Sequence, residues 1–360
     1  MSNNIYAVIT GSGSYLPTKQ VPNAEFLKNN FLESNGQPIS RPNEEIISKF
    51  QLITGIDERR YVKDDLVCSD IAFFAAEKAI ASSGVDKETL DYIIVAHNFG
   101  DVKFGGTHSD FVPALASRVK HRLAIENPFT VAYDLPFGCP GWLQALIQAN
   151  YYIKSGDAKN ILVIGSETLS RISDPHDRDS MIYSDGAGAV VLSAVESATP
   201  VGILTHVTRT DTLDHAYLLR MAGSYNPEDK GNVYLKMNGR KLYEYALKTV
   251  PAAIKMAIDK SGLPITHIER ILIHQANEKM DDAIVNRLYE LYGISARPEF
   301  SMPMTISWLG NNSVATLPIL YDLIVSRKVD NHRLNPGDHF VFASVGAGMH
   351  VNAMVYRIPD

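Results

Sequence analysis

The chain predicts an α/β fold made of two similar halves. Three observations carry this expectation. Short β-branched or apolar runs alternate with helical patterns along the 360 residues; part of the first half recurs 178 positions later; and no low-complexity tract or Pro/Gly/Ser-rich linker divides the chain. Ile5–Ile9 reads as the first strand. The following Gly11-Ser-Gly-Ser-Tyr-Leu lacks a third glycine and meets Pro17 where a helix would open, which speaks against a dinucleotide loop. Asp70–Ser82 has helical spacing and stops at Ser83-Gly84, where glycine can supply the left-handed cap. Tyr92–Ala96 and Thr130–Tyr133 are strands flanking a long segment, and Trp142–Ile153 contains no charge, so it predicts a buried helix. Ile161–Ile164 and Ala187–Leu192 continue the strand series. Ala198-Thr-Pro before the strand Ile203–Val207 marks the junction, giving expected halves 1–198 and 199–360. The second half then offers a helix at Leu242–Ser261 and strands at Ile271–Ile273, Phe340–Ala343 and Val351–Tyr356.

The repeat is read from identities in register. Ala75, Ala79, Ile80, Ser83, Gly84 and Ile93 meet Ala253, Ala257, Ile258, Ser261, Gly262 and Ile271 at the offset of 178. Gly186-Ala-Gly and Gly346-Ala-Gly match at 160 instead, so the first half holds an insertion, for which His97–Phe129 is the obvious place. Any two helix–glycine–strand units share some features, but six ungapped identities favour duplication.

Composition narrows the function. With 45% hydrophobic and 21% charged residues the chain is that of an ordinary globular enzyme. A balance of 34 Lys+Arg against 40 Asp+Glu, without a basic block, makes nucleic acid an unexpected partner. Two cysteines, Cys68 and Cys139, cannot build a disulfide framework or a Cys-rich zinc site, and no metal-ligand spacing occurs. No signal-peptide pattern and no apolar run long enough for a membrane span appear, so the expectation is a soluble, cytoplasmic protein.

Three polar turns carry candidate chemistry. Cys139 stands in Leu135-Pro-Phe-Gly-Cys-Pro-Gly141 ahead of the uncharged helix. Pro140 suits the first helical position, and a cysteine at a helix N-terminus is expected to have a depressed pKa, because unpaired N–H groups favour the thiolate. The alternative is a small buried hydrophobe. His274 follows the strand Arg270–Ile273 in His-Gln-Ala-Asn277, at a strand end where open sheets place functional groups, although taken alone, as one of 11 histidines, it is better read as a satisfied core histidine. Leu309-Gly-Asn-Asn-Ser313 enters the apolar stretch Val314–Ile324, where Asn312 or Ser313 can be an ordinary helix cap.

Together, Phe-Gly-Cys-Pro-Gly, His-Gln-Ala-Asn and Gly-Asn-Asn-Ser resemble the Cys–His–Asn elements of the thiolase-fold condensing enzymes, and most closely those of the β-ketoacyl-acyl-carrier-protein synthase III family. The resemblance extends through Thr54-Gly-Ile-Asp-Glu-Arg-Arg60, Asp174-Pro-His-Asp-Arg178, Ser184-Asp-Gly-Ala-Gly-Ala189 and the Gly346-Ala-Gly loop. It implies a five-layered α-β-α-β-α sandwich of two duplicated halves, and a homodimer. It implies that Cys139 is acylated from an acyl thioester, with coenzyme A as a substrate and no other cofactor. Malonyl-acyl carrier protein then condenses with the acyl group, with loss of carbon dioxide. In that scheme His274 and Asn311 stabilise the enolate, and the backbone N–H groups of Cys139 and Ala347 form the oxyanion hole. Ala347 stands where the family usually has glycine. The family's substrate positions fall on Arg171, Val112 and Asn277.

The sequence also departs from the family. Lys49, with Phe50 beside it, replaces a tryptophan that stacks on adenine, so the acyl donor is open between coenzyme A and a carrier protein. Val112 stands where a bulky phenylalanine often limits acyl length, which predicts longer or more branched primers, unless Phe104, Phe111 or Phe129 fills that space. Carrier docking is expected on a basic face formed by Lys236, Arg240, Lys241, Lys248, Lys255 and Lys260, continued by Lys279 and Arg287, although Glu244 replaces a familiar lysine. The Asp-Pro-x-Asp-Arg segment matches a surface turn. Competing readings are a non-condensing acyltransferase, a specialised condensing enzyme of pigment or secondary lipid synthesis, and a silent subunit of a heterodimer. The first is disfavoured by Asn311, the last by the presence of all three polar residues.

Overall fold

The computed structural model describes residues 4–360. Strands β1 (Asn4–Tyr15), β2 (Tyr92–His97), β3 (Val131–Pro136), β4 (Asn160–Thr168) and β5 (Asp185–Ser197) form one sheet in the order β1-β5-β4-β2-β3. Strands β6 (Gly202–Thr210), β7 (Ile268–Ile273), β8 (His339–Gly346) and β9 (His350–Arg357) form a second, in the order β6-β9-β8-β7. In each sheet the first two pairings are antiparallel and the third is parallel: β1/β5, β5/β4 and β4/β2 in one, β6/β9, β9/β8 and β8/β7 in the other. The parallel strand β7 lies where the sequence repeat places the partner of β2.

Helices α1 (Asn43–Thr54), α2 (Cys68–Ser83), α3 (Leu115–Arg122) and α4 (Gly141–Ser155) belong to the first half, and α5 (Gly239–Ser261), α6 (Glu278–Glu290) and α7 (Thr316–Val325) to the second. α4 and α7 are apolar nearly all round, and they fill the space between the sheets. Trp142, Leu146, Leu320 and Ile324 share one core with Ile161 and Val163 of the first sheet and Phe340 and Tyr356 of the second. α2 and α3 cover the outer face of the first sheet, and α5 and α6 that of the second. The result is the expected α-β-α-β-α sandwich. Gly84 and Gly262 end α2 and α5 at φ of 67° and 75°, the left-handed caps foreseen at both Ser-Gly pairs.

Gly11 lies inside β1, and a methyl group added there would stand 2.5 Å from the Ala79 carbonyl oxygen. That glycine exists for close packing of strand on helix, with no phosphate loop involved. The long segment after β2 folds into a small ribbon, Asp101–Val102 against Ser109–Asp110, followed by α3. Asp134 of β3 anchors it: its carboxylate accepts the N–H groups of Leu115 and Ala116 at 2.7 and 2.8 Å and lies 3.1 Å from His97 Nε2.

Candidate active site

Cys139 lies in the turn between β3 and α4. The first helical residue is Gly141, so Pro140 sits just ahead of the helix and the cysteine one residue further out. The sulfur is half-buried, and the Ser313 Oγ–H donates to it across 3.5 Å. Burial pushes the thiol up to about 11, and the nearby Glu167 carboxylate adds to the rise while the Ser313 hydrogen bond opposes it. This corrects the expectation of a depressed pKa: the low-polarity surroundings outweigh the helix terminus. The resting group is the thiol. Alkylation of Cys139 by iodoacetamide should therefore keep climbing from pH 7 to 10, roughly tenfold per unit, instead of levelling off near neutrality.

The second-half loops converge on this turn. A methyl group on Gly346 would stand 2.5 Å from the Cys139 nitrogen, and one on Gly138 would stand 2.7 Å from the Ala347 nitrogen. The Gly346-Ala347 backbone thus lies directly against the cysteine turn, where two main-chain N–H groups can face one oxyanion. Asn311 is held by its backbone, which donates to Ile182 O at 3.0 Å and accepts from Ser184 N at 2.9 Å. Its side-chain oxygen takes the Ser313 N–H at 2.8 Å, which leaves the amide nitrogen as the group available to a substrate. Neither Asn312 nor Ser313 caps a helix through its side chain. Asn312 instead donates to Asp185 O at 2.8 Å, and Ser313 adopts φ of 52°.

His274 follows β7, with its N–H on Ala343 O of β8 at 2.8 Å, three residues before Gly346. The ring is buried and Nδ1 has no partner among the described residues. Burial pushes its pKa down to about 4. Because the folded value is lowered, the neutral imidazole persists at all pH above that value, and charging it requires acid below about 4. A neutral ring offers one N–H donor, which suits hydrogen bonding to a developing enolate.

A cavity of about 820 Å³ opens between α1, the Arg178–Ile182 turn and the starts of α5 and α6; Asn311 and Asn277 are in its wall, whereas Cys139 and His274 are not. Asn277 Oδ1 is already engaged, accepting the Met280 N–H at 3.0 Å as the cap of α6. Exposed Lys49, Arg178 and Arg240 lie around the cavity with Glu244 and Asp179.

Other candidates fall elsewhere. Arg171 is 8% exposed, with Nη2 donating to the carbonyls of Lys63 and Leu66 and its guanidinium under the Phe104 ring, so it is not in the cavity wall. Val112 is 85% exposed on the loop after the ribbon and fills no pocket of its own chain. Of the three phenylalanines, Phe104 covers Arg171, Phe111 stacks on His97 and Phe129 is exposed. Lys236 is removed from the basic face: it is buried, with Nζ 2.5 Å from Asp174 and 3.0 Å from Asp177. The Asp-Pro-x-Asp-Arg segment is a surface turn at Pro175 and Arg178, as expected, but its two aspartates turn inward to pair with Lys236. Arg240 and Arg287 are exposed but paired with Glu244 and Glu290, whereas exposed Lys241 and Lys279 have no acidic partner among the described residues. Sequence reasoning missed Glu167 and Asn98. The only hint was a charged residue closely following the apolar run Ile161–Ile164.

Among the described residues no helix is long and apolar enough to cross a membrane. Family models for 3-oxoacyl-[acyl-carrier-protein (ACP)] synthase III and for its C-terminal part match residues 133–212 and 258–358. The chain is 33% identical over 350 residues to a β-ketoacyl-[acyl-carrier-protein] synthase III of Staphylococcus haemolyticus, covering 97% of this chain and 98% of the relative. The crystal structure of the synthase III of Thermus thermophilus superposes with a TM-score of 0.78 at 31% identity, covering 97% and 98% of the two chains. The priming β-ketosynthase of the R1128 polyketide pathway reaches 0.80 at 26% identity, covering 100% of this chain and 98% of that one.

Proposed function

The chain belongs to the 3-oxoacyl-[acyl-carrier-protein] synthase III family, and from that premise we propose that it starts acyl chains by acylating Cys139 and condensing that acyl group with malonyl-acyl carrier protein. The observation that carries this is the approach of the Asn311–Ser313 loop to the Cys139 sulfur and of the Gly346–Ala347 loop to its backbone nitrogen. In the first stage the Cys139 sulfur attacks the acyl thioester. The carbon–sulfur bond to the donor breaks, and the thiol proton ends on the departing thiol. The N–H groups of Cys139 and Ala347 hold the tetrahedral oxyanion. In the second stage the malonyl C–CO2 bond breaks and its electron pair becomes an enolate. The neutral His274 ring and the Asn311 amide donate to its oxygen. The enolate carbon then bonds to the acyl carbon, the acyl carbon–sulfur bond breaks, and the released Cys139 thiolate takes a proton from solvent to return to the resting thiol. Both stages are redox-neutral, so the reading invokes no cofactor beyond coenzyme A as leaving group.

Acyl-coenzyme A and acyl-carrier thioesters of graded length, supplied with malonyl-carrier protein, test this reading. Acyl mass should appear on Cys139, and product should follow only when carbon dioxide is released. Acyl transfer to an alcohol or amine without carbon dioxide would select a non-condensing acyltransferase instead. The reading places the enzyme in the cytoplasm.

A second copy pairs with β3, which is an edge strand bearing exposed Val131 beside exposed Phe129; a bare apolar edge favours strand pairing. Val112 then lies where it can reach the partner's acyl pocket, and Val112→Phe should shift the preferred primer to shorter chains, read from the ratio of kcat/KM for long and short donors. An acidic carrier docks near the cavity mouth on Lys279, Lys241 and Arg240, with Arg287 further along α6. The Arg240–Glu244 pair is solvent-exposed and holds Arg240 weakly. Charge reversal in Arg240→Glu/Lys279→Glu should raise KM for malonyl-carrier protein about tenfold and leave self-acylation from acyl-coenzyme A unchanged.

A further inference from the structure

The hydrogen bond on the Cys139 sulfur ends a chain that starts at a buried carboxylate. Glu167, at the end of β4, is 1% exposed. Its Oε2 accepts the Asn98 backbone N–H at 3.0 Å and the Asn98 Nδ2 at 2.5 Å. The same Nδ2 donates its other hydrogen to Ser313 Oγ at 3.0 Å, and Ser313 Oγ donates to Cys139 Sγ at 3.5 Å. Asn98, directly after β2, Glu167 and Ser313 come from three separated parts of the chain.

We propose that Asn98, oriented by Glu167, is a positioning residue that fixes the Ser313 hydroxyl as a donor to the Cys139 sulfur. The inference rests on the reading of Cys139 as the acylated residue. Polarity sets the direction of the relay. Burial pushes the Glu167 carboxyl up to about 7, so above that pH it is a carboxylate, which only accepts and therefore selects the NH2 end of the Asn98 amide. That NH2 group only donates, so it occupies a lone pair of Ser313 Oγ and leaves the hydroxyl hydrogen for the sulfur. Ser313 is also held at φ of 52°, a left-handed conformation unfavourable for serine, which marks its hydroxyl placement as imposed by the loop. The relay supplies a stabilising donor to the thiolate at the point where burial and the Glu167 charge work against it.

The test is the pH profile of Cys139 alkylation by iodoacetamide, together with single-turnover acylation. Ser313→Ala and Asn98→Asp should each move the alkylation profile up by about one pH unit, a tenfold loss of rate at fixed pH. Acylation should fall through kcat with KM for the acyl donor unchanged. Asn98→Asp, nearly isosteric, presents an acceptor to Ser313 and should be more damaging than Asn98→Ala, the reverse of what a packing role predicts. Glu167→Gln removes the charge facing the sulfur but keeps an acceptor for Asn98, and should move the profile down. Folded Ser313→Ala and Asn98→Asp proteins with wild-type alkylation profiles would overturn the relay, as would Asn98→Ala being the worse variant. If the wild-type enzyme carries no acyl group on Cys139, the functional reading fails instead, whatever the alkylation profiles.

Discussion

Asn311→Ala should leave acylation of Cys139 close to its wild-type rate and lower condensation about 10²- to 10³-fold, the range for loss of one preorganised donor at a developing oxyanion. The asymmetry follows from where the side chain points its donors. The Asn311 oxygen is spent on the Ser313 N–H, so the amide nitrogen is the end that a substrate oxygen can meet. No negative charge builds on the malonyl thioester until carbon dioxide departs, so the first stage does not use that donor. The Ser313 N–H loses its acceptor in the variant, and a small loss of acylation through a looser Ser313 is consistent with the account. Asn311→Asp should be at least as severe in condensation, because it presents an acceptor where a donor is required.

Gly346→Ala should be damaging in a different way, lowering both stages together. The added methyl would meet the Cys139 nitrogen at 2.5 Å and the Cys139 Cβ at 2.9 Å, distances that backbone and a buried side chain cannot accept without moving. The loop carrying the Ala347 N–H must back away from the cysteine turn, and the oxyanion hole opens. Misplacing a catalytic donor by about 1 Å costs on the order of 10²-fold, so acylation and condensation should each fall by about that factor. The protein should remain folded, since the pairing of β8 to β9 ends at this residue and its pairing to β7 ends three residues earlier, at Ala343. Ala347→Gly, in contrast, keeps the backbone donor and should change neither stage by much.

Much of the fold was legible because its signals are local. Strand runs, an uncharged helix and paired Ser-Gly caps are written in short stretches, and the 178-residue repeat exposes the relation of β2 to β7. The cysteine, histidine and asparagine were legible by motif. What could not be read depends on distant partners. Lys236 looks like surface charge until Asp174 and Asp177, about sixty positions away, close over it. The Cys139 pKa was misjudged because a helix terminus is visible in sequence, whereas burial and the approach of Glu167 exist only after folding. Arg171 reads as a ligand contact, and the folded chain holds its Nη2 on the carbonyls of Lys63 and Leu66 while Nε has no partner among the described residues. Asn98 lies in the segment where the two halves differ in length, so no internal repeat marks it.

A single-turnover quench experiment bears most directly on the central claim. Enzyme acylated beforehand with an isotopically labelled primer is mixed with malonyl-carrier protein, and label on the Cys139 peptide is followed against carbon dioxide and the new carrier-bound product. The account predicts that label leaves Cys139 at the same rate as carbon dioxide and β-ketoacyl product appear, one for one. Label that stays on Cys139 while product forms, or that leaves without carbon dioxide, would contradict it.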